Sequence, residues 1–368
     1  MTRSALLASA ALVAACVACA GPRAATRPPA ANELVVREPE RVDARVDDDL
    51  FGKNDEELFA AGMAASAEGA SRRAADAFSR LADTFPSSPR RPAALYDAGL
   101  ALRALGEWRT ALERFRELAE RHAGPDAEEA RFLVAECHWR LGERAEARRV
   151  LDALAARAEL DAVHHARALV ERGVVEAEDG EPEVAERSLA AGAAAAEAAG
   201  REPAAAALLA KAHFWLGELE RDRFLGVKLD PSAGDAARLE RDLEGKSERL
   251  LVAQERYLRA IRTGDATWAV AAGGRIGELY DGLYTELVTA PLPPGLDADA
   301  SAAYQAELRG RVRVLVTKAI RVYEETLGTA RRAGVEGDLV PRIEAALERM
   351  RRALAGGDVP AAAGAPRG

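Results

Sequence analysis

The chain has 368 residues, of which 49% are hydrophobic and 30% charged, and its formal net charge is −9. Acidity of that size argues against nucleic acid or an anionic bilayer as the main partner, since both repel negative charge, and leaves room for a local basic patch. Abundant Ala, Leu, Glu and Arg beside only 5% aromatic residues favour helices over strands.

The first segment, "MTRSALLASAALVAACVACAGP", carries one Arg, an apolar run from Ala5 to Ala15 and then small residues. Such a run is too short to span a bilayer and reads as a secretory signal over residues 1–15. Its end, "LVAAC", resembles the lipobox of bacterial lipoproteins. The resemblance implies that Cys16 becomes the lipidated first residue. Cys19, preceded by "CVA", fits the pattern less well. Val17 after Cys16, by the same resemblance, implies the outer membrane. The alternative is ordinary cleavage after "ACA", which leaves a soluble periplasmic protein. Residues 16–50, rich in Pro, Ala and charge, read as a disordered tether. About thirty such residues reach roughly 30 Å.

From residue 51 a phrase recurs. "RRAADAFSRLADTFPSSP" at 72–89 returns as "WRTALERFRELAERHAGP" at 108–125. Each copy places a small residue, then Phe four later, then Leu three after that: Ala74, Phe78, Leu81 and Ala111, Phe115, Leu118. These separations put three side chains on one helical face. Twelve residues before each Ala stands another small residue, Gly62 and Gly99. Two further copies follow: Ala135 with Ala147, Leu151, Leu154, and Gly173 with Ala185, Leu189, Gly192. The fourth is weak at its last position. A fixed period near 36 residues marks stacked helical hairpins, and this spacing resembles the tetratricopeptide repeat (TPR). The resemblance implies an all-α, right-handed TPR-type superhelix over about four repeats, residues 51–200. Each repeat's first helix (A) is expected to let the second (B) approach at the small residue. Pro86 and Pro125 should interrupt the chain between repeats.

Beyond residue 200 the same helix A is spelled twice more, with Gly217 and Gly277 at the close-approach position. Their partners, Ala253 with Tyr257 and Ala319 with Tyr323, come 24 and 30 residues late. "KLDPSAGD" and "APLPPGLDADA" are loop signals, and much of the remainder is helix-forming. Long helices running past the ordinary repeat edge are therefore expected over 201–355, closed by an amphipathic cap at 339–354. Residues 356–368 read as a disordered tail. The phrases "WAVAAGGRIGELYDGLYTELVTAPLPPGL" and "VLVTKAIRVYEETL" are similar to the C-terminal part of TPR proteins of the myxobacterial adventurous-gliding machinery. That resemblance implies an envelope complex.

Chemistry is weakly signalled. His164 and His165 are adjacent and so point to different sides of a helix, which makes a poor metal pair. Cys137 reads as a small buried hydrophobe. The glycines of "GGRIGELYDG" follow no strand and are explained by helix packing. No phosphate loop, HExxH or GxSxG is present. Repeat position places Tyr96, Leu100 and Arg103, with Phe132, Glu136 and Trp139, on a concave face with the aromatic and Arg mixture that binding surfaces use. The expected function is a non-enzymatic scaffold, without cofactor or small-molecule substrate, that binds other envelope proteins and is moored at the outer membrane by its lipid. The competing reading within the same class is a factor in outer-membrane protein assembly or Tol-linked division. An enzyme subunit is the third.

Overall fold

A computed structural model describes residues 48–200, 202–230, 236–292 and 295–356. The signal segment with Cys16 and Cys19, most of the tether and the tail beyond residue 356 lie outside the described residues. The chain divides after Phe51. In the first part the described residues include a short 3-10 turn, Asp48–Leu50. All else belongs to the second part.

Thirteen α-helices and no strand occur among the described residues. Four hairpins come first: α1 (Asp55–Ala67) with α2 (Ser71–Thr84), α3 (Arg91–Ala104) with α4 (Trp108–Arg121), α5 (Pro125–Arg140) with α6 (Arg144–Ala155), and α7 (Ala162–Glu178) with α8 (Pro182–Ala198). Each turn inside a hairpin is built alike. A glycine in the left-handed region follows helix A: Gly69, Gly106, Gly142 and Gly180, with φ between 71° and 79°. The next amide then donates to the carbonyl five residues back, as Glu107 does to Leu102 at 2.9 Å and Glu143 to His138 at 2.9 Å. This closure satisfies carbonyls that the helix end leaves free. Proline opens the next helix at α5, α8 and α9, where its missing N–H costs nothing.

Helices A and B bury different amounts of their circumference. In α2, α4 and α6 the buried residues form one stripe, for example Ala111, Leu112, Phe115 and Leu118. In α5 they run nearly all round, because an A helix touches its own partner, the B helix of the preceding hairpin and a neighbouring A helix. The small residues lie at the crossings. A Cβ on Gly62 would stand 2.6 Å from the Phe78 ring, and one on Gly99 would strike the Phe115 ring. The third hairpin keeps Ala135 at this place, and its facing residue is the smaller Leu151, so the pair still fits. The fourth hairpin is not weak at Gly192. A Cβ there would lie 2.6 Å from Val170 Cγ2, so α7 and α8 approach closely both there and at Gly173, which faces Leu189.

Four longer helices, α9 (Pro203–Gly226), α10 (Ala236–Arg262), α11 (Ala266–Thr289) and α12 (Ala298–Ala333), and a shorter closing helix, α13 (Leu339–Leu354), complete the array. Gly217 faces Tyr257 and Gly277 faces Tyr323, as the repeat register demands. The inserted residues lengthen all four helices at the end where A turns into B. There Phe224, Leu229, Leu250, Leu283 and Val312 join one continuous core with Tyr257 and Tyr323. The inserts thus make helix-on-helix packing of their own.

Two buried groups give early tests. Cys137 has no exposed surface, and burial, reinforced by Glu136, pushes its thiol up to about 12. A native sample treated with a maleimide at mildly alkaline pH is expected to leave Cys137 unmodified, and an unfolded sample to label it. Mass mapping of its peptide distinguishes it from Cys16 and Cys19. His213 on α9 is 9% exposed and its Nδ1 has no partner. Burial first, and then Arg259 and Arg256, hold its imidazole below the usual histidine range. The folded protein therefore keeps it neutral while the unfolded chain takes up a proton near pH 6.5. Its contribution is present above that pH and is lost as the solution is acidified through it. Wild type should lose melting temperature between neutral pH and about pH 5 more steeply than His213→Leu. Equal slopes would show that His213 is solvated.

Candidate interaction surface

The exposed side of successive A helices carries the candidate binding residues, and ion pairs tie it together between neighbours. Arg103 on α3 meets Glu136 on α5 at 3.1 Å. Glu129 on α5 takes both arms of the Arg167 guanidinium on α7 at 2.5 and 3.0 Å. Lys211 on α9 reaches Glu171 on α7 at 2.6 Å, and Arg275 on α11 reaches Glu218 on α9 at 3.0 Å. The paired side chains keep between 16% and 40% of their surface exposed, so water screens them and each pair contributes about 0–1 kcal/mol. Their main effect is to fix how one hairpin is set against the next.

The six sequence-chosen residues fare differently. Tyr96 is half-buried, edge-on to Phe115 with ring centres 6.3 Å apart. Its phenol is raised above the usual range, chiefly by burial. Leu100 is half-buried on the same helix face, four residues on. Arg103 and Glu136 are spent on each other. Phe132 departs from the expectation of an open groove position. It is 3% exposed and packs with Ala147, Leu151 and Val175. Arg167 lies over its ring at 4.3 Å, held there by Glu129. The A helix of the following hairpin covers this ring, which repeat position alone does not reveal. Trp139 is half-buried, and its indole N–H donates to Glu178 on α7.

A second feature lies on the other side of the hairpins. A cleft of about 590 Å³ opens between α4, α5 and α6, with Arg116, Arg131, Arg149 and Arg157 around a floor of Val134, Val150 and Leu154. At its side His138 sits between Arg116 (3.3 Å from Nε2) and Glu143 (2.7 Å from Nδ1). Arginine is always charged, so Nε2 accepts and Nδ1–H donates to Glu143. Arg131 and Arg157 are committed to Glu128. His164 serves at a helix start, where Asp161 accepts from its backbone N–H and meets its ring. Among the described residues no group of three or more His, Cys, Asp or Glu is placed to hold a metal, and no helix is long and apolar enough to cross a membrane.

Residues 93–124, which span α3 and α4 and hold the Gly99–Phe115 crossing, match the tetratricopeptide repeat family. The fold is a TPR-type α-α superhelix. No curated protein sequence matches the chain. Among solved structures it is similar to the apo form of RapI at 10% identity and TM-score 0.47, covering 82% of this chain and 99% of that one. It is also similar to a tetratricopeptide repeat protein from Parabacteroides merdae at 15% identity and TM-score 0.37, over 81% and 98% of the two chains. A Rap protein complexed with Competence and Sporulation Factor matches at 16% identity and TM-score 0.42, over 81% and 75%. At this distance the likeness concerns the fold.

One feature of this surface has no counterpart in the local sequence pattern. Arg140, the last residue of α5, sits with its guanidinium carbon 4.4 Å from the Trp139 ring and 5.4 Å from the Trp108 ring. The two tryptophans are 31 positions apart and belong to different hairpins. Only the stacking of α4 against α5 brings them together, and no local pattern announces it.

Proposed function

We propose that this protein is a non-enzymatic scaffold that binds a partner polypeptide along the exposed side of its A helices. It is exported and moored at the outer membrane through Cys16. The observation that supports it is the register of the hairpins. Ion pairs between A helices hold Tyr96, Leu100, Arg103 and Trp139 half-exposed on a rigid support. A pre-ordered surface of aromatic and Arg side chains loses little entropy on binding. The role in a gliding-type envelope complex rests on the phrasing of residues 200–350. Outer-membrane assembly or Tol-linked division is the alternative, and the partner's identity separates them.

The test is photo-crosslinking in native envelopes. A crosslinker placed at Leu100 should trap a defined protein, and one at the exposed Glu113 on α4 should not. Equal yields from both positions would refute the surface. Cys16→Ser is expected to move the protein from the membrane to the soluble fraction. A variant that stays in the membrane would refute the anchor.

A further inference from the structure

We infer that Arg140, held between Trp108 and Trp139, is the point on this surface that takes an acidic side chain of the partner. The inference rests on the polypeptide-binding reading above. Its basis is the difference between Arg140 and the arginines beside it. Arg103 is paired with Glu136 at 3.1 Å and Arg109 with Glu143 at 2.7 Å. Arg140 is exposed and, among the described residues, has no carboxylate within ion-pair reach. Its guanidinium lies over two indole rings, which attract the charge without neutralising it.

That arrangement leaves the right atoms free. Stacking uses the faces of a guanidinium, while its N–H donors lie in the plane and point outward. They are the fork that grips a carboxylate with two parallel hydrogen bonds. The fork is also ordered before the partner arrives. Trp139 is tied to Glu178 across to α7, and Trp108 opens α4 directly after the Gly106 turn. Leu105, exposed at the end of α3, adds apolar surface three positions before Trp108. Trp and Arg on a fixed base, with an apolar neighbour, form the kind of cluster on which binding energy concentrates. A chain of net charge −9 repels an acidic partner in general, so a cation without a carboxylate partner, set on two tryptophans, favours contact with such a partner at this point.

The test uses the full-length protein and displayed random peptides. Selected peptides are expected to carry Asp or Glu. Exchanging that residue for its amide should weaken binding to wild type by about tenfold or more. The same exchange should change little against Arg140→Gln, and added salt should shrink the difference. The amide exchange in the peptide leaves the protein untouched, so the result stands even where Arg140→Gln lowers the melting temperature. Peptides that bind without an acidic requirement, or that lose equally against Arg140→Gln, overturn this inference and leave the scaffold reading in place. A stable, folded protein that selects no peptide overturns both.

Discussion

Gly277→Leu is expected to unfold the C-terminal helices well below the wild-type melting temperature, while Gly282→Ala on the same helix should raise it. Both glycines lie inside α11, and there an isolated glycine costs about 1 kcal/mol relative to alanine. Their surroundings decide the sign. Nothing stands within 4 Å of a Cβ at Gly282. At Gly277 the added atom would strike the Tyr323 ring, with Cζ only 2.6 Å away. That ring has no exposed surface and is surrounded by the core, so it has nowhere to turn. One turn earlier, Gly273 meets Thr326 in the same way, and the two helices cannot simply slide apart at one point. Leucine at 277 adds an overpacking cost of about 3 kcal/mol, which lowers the melting temperature by about 6–12 °C. Thermal melting followed by circular dichroism reads both variants. An array of stacked units loses structure near the lesion first, so hydrogen exchange should rise in α11 and α12 before α3. Equal melts for Gly277→Leu and wild type would mean that α11 and α12 do not cross there.

The crossing glycines were legible in the sequence because they obey a fixed distance to an aromatic or Leu residue on the partner helix. The rule held even where 24 and 30 extra residues intervened at Tyr257 and Tyr323, because additions at the turn do not disturb the crossing. The face of each helix was legible for the same reason. What contacts that face across repeats was not. Phe132 occupies a groove position by register, yet Arg167 from the next hairpin closes over it. Gly192 looked like a defect and is a second close approach, which depends on Val170 lying opposite. Arg103 and Glu136 are 33 residues apart, near the repeat period, and a repeat-by-repeat alignment of charges would have found the pair. Trp108, Trp139 and Arg140 follow no such period. Their meeting depends on how far α4 and α5 overlap, a tertiary quantity that local spacing does not carry.

Lys246 belongs to the same class. In "LEGKSERLL" it reads as one more solvated charge, yet none of its surface is exposed. Its Nζ donates to the carbonyls of Val227 at 2.6 Å and Phe224 at 3.2 Å, and pairs with Glu286 at 2.7 Å. The ammonium also lies 4.5 Å from the Phe224 ring centre. It therefore sits where α9 ends, where free carbonyls and the helix dipole both favour a cation. Glu286 in turn accepts the N–H of Leu229 at 3.2 Å. One lysine thus fastens the end of α9 to α10 and α11, and holds the inserted segment onto the solenoid. Lys246→Met removes the charge and keeps the length. It strands two carbonyls and a carboxylate that is 28% exposed. Breaking a fully buried pair costs about 3–5 kcal/mol, and partial exposure of Glu286 lowers that to about 2–4 kcal/mol. Adding Glu286→Gln should recover part of the loss, since the stranded charge is then gone. Hydrogen exchange at residues 222–230 is expected to speed up in the single variant, with α3 and α4 unchanged. If Lys246→Met melts and exchanges like wild type, the lysine is solvated and the inserts are held by their apolar contacts alone.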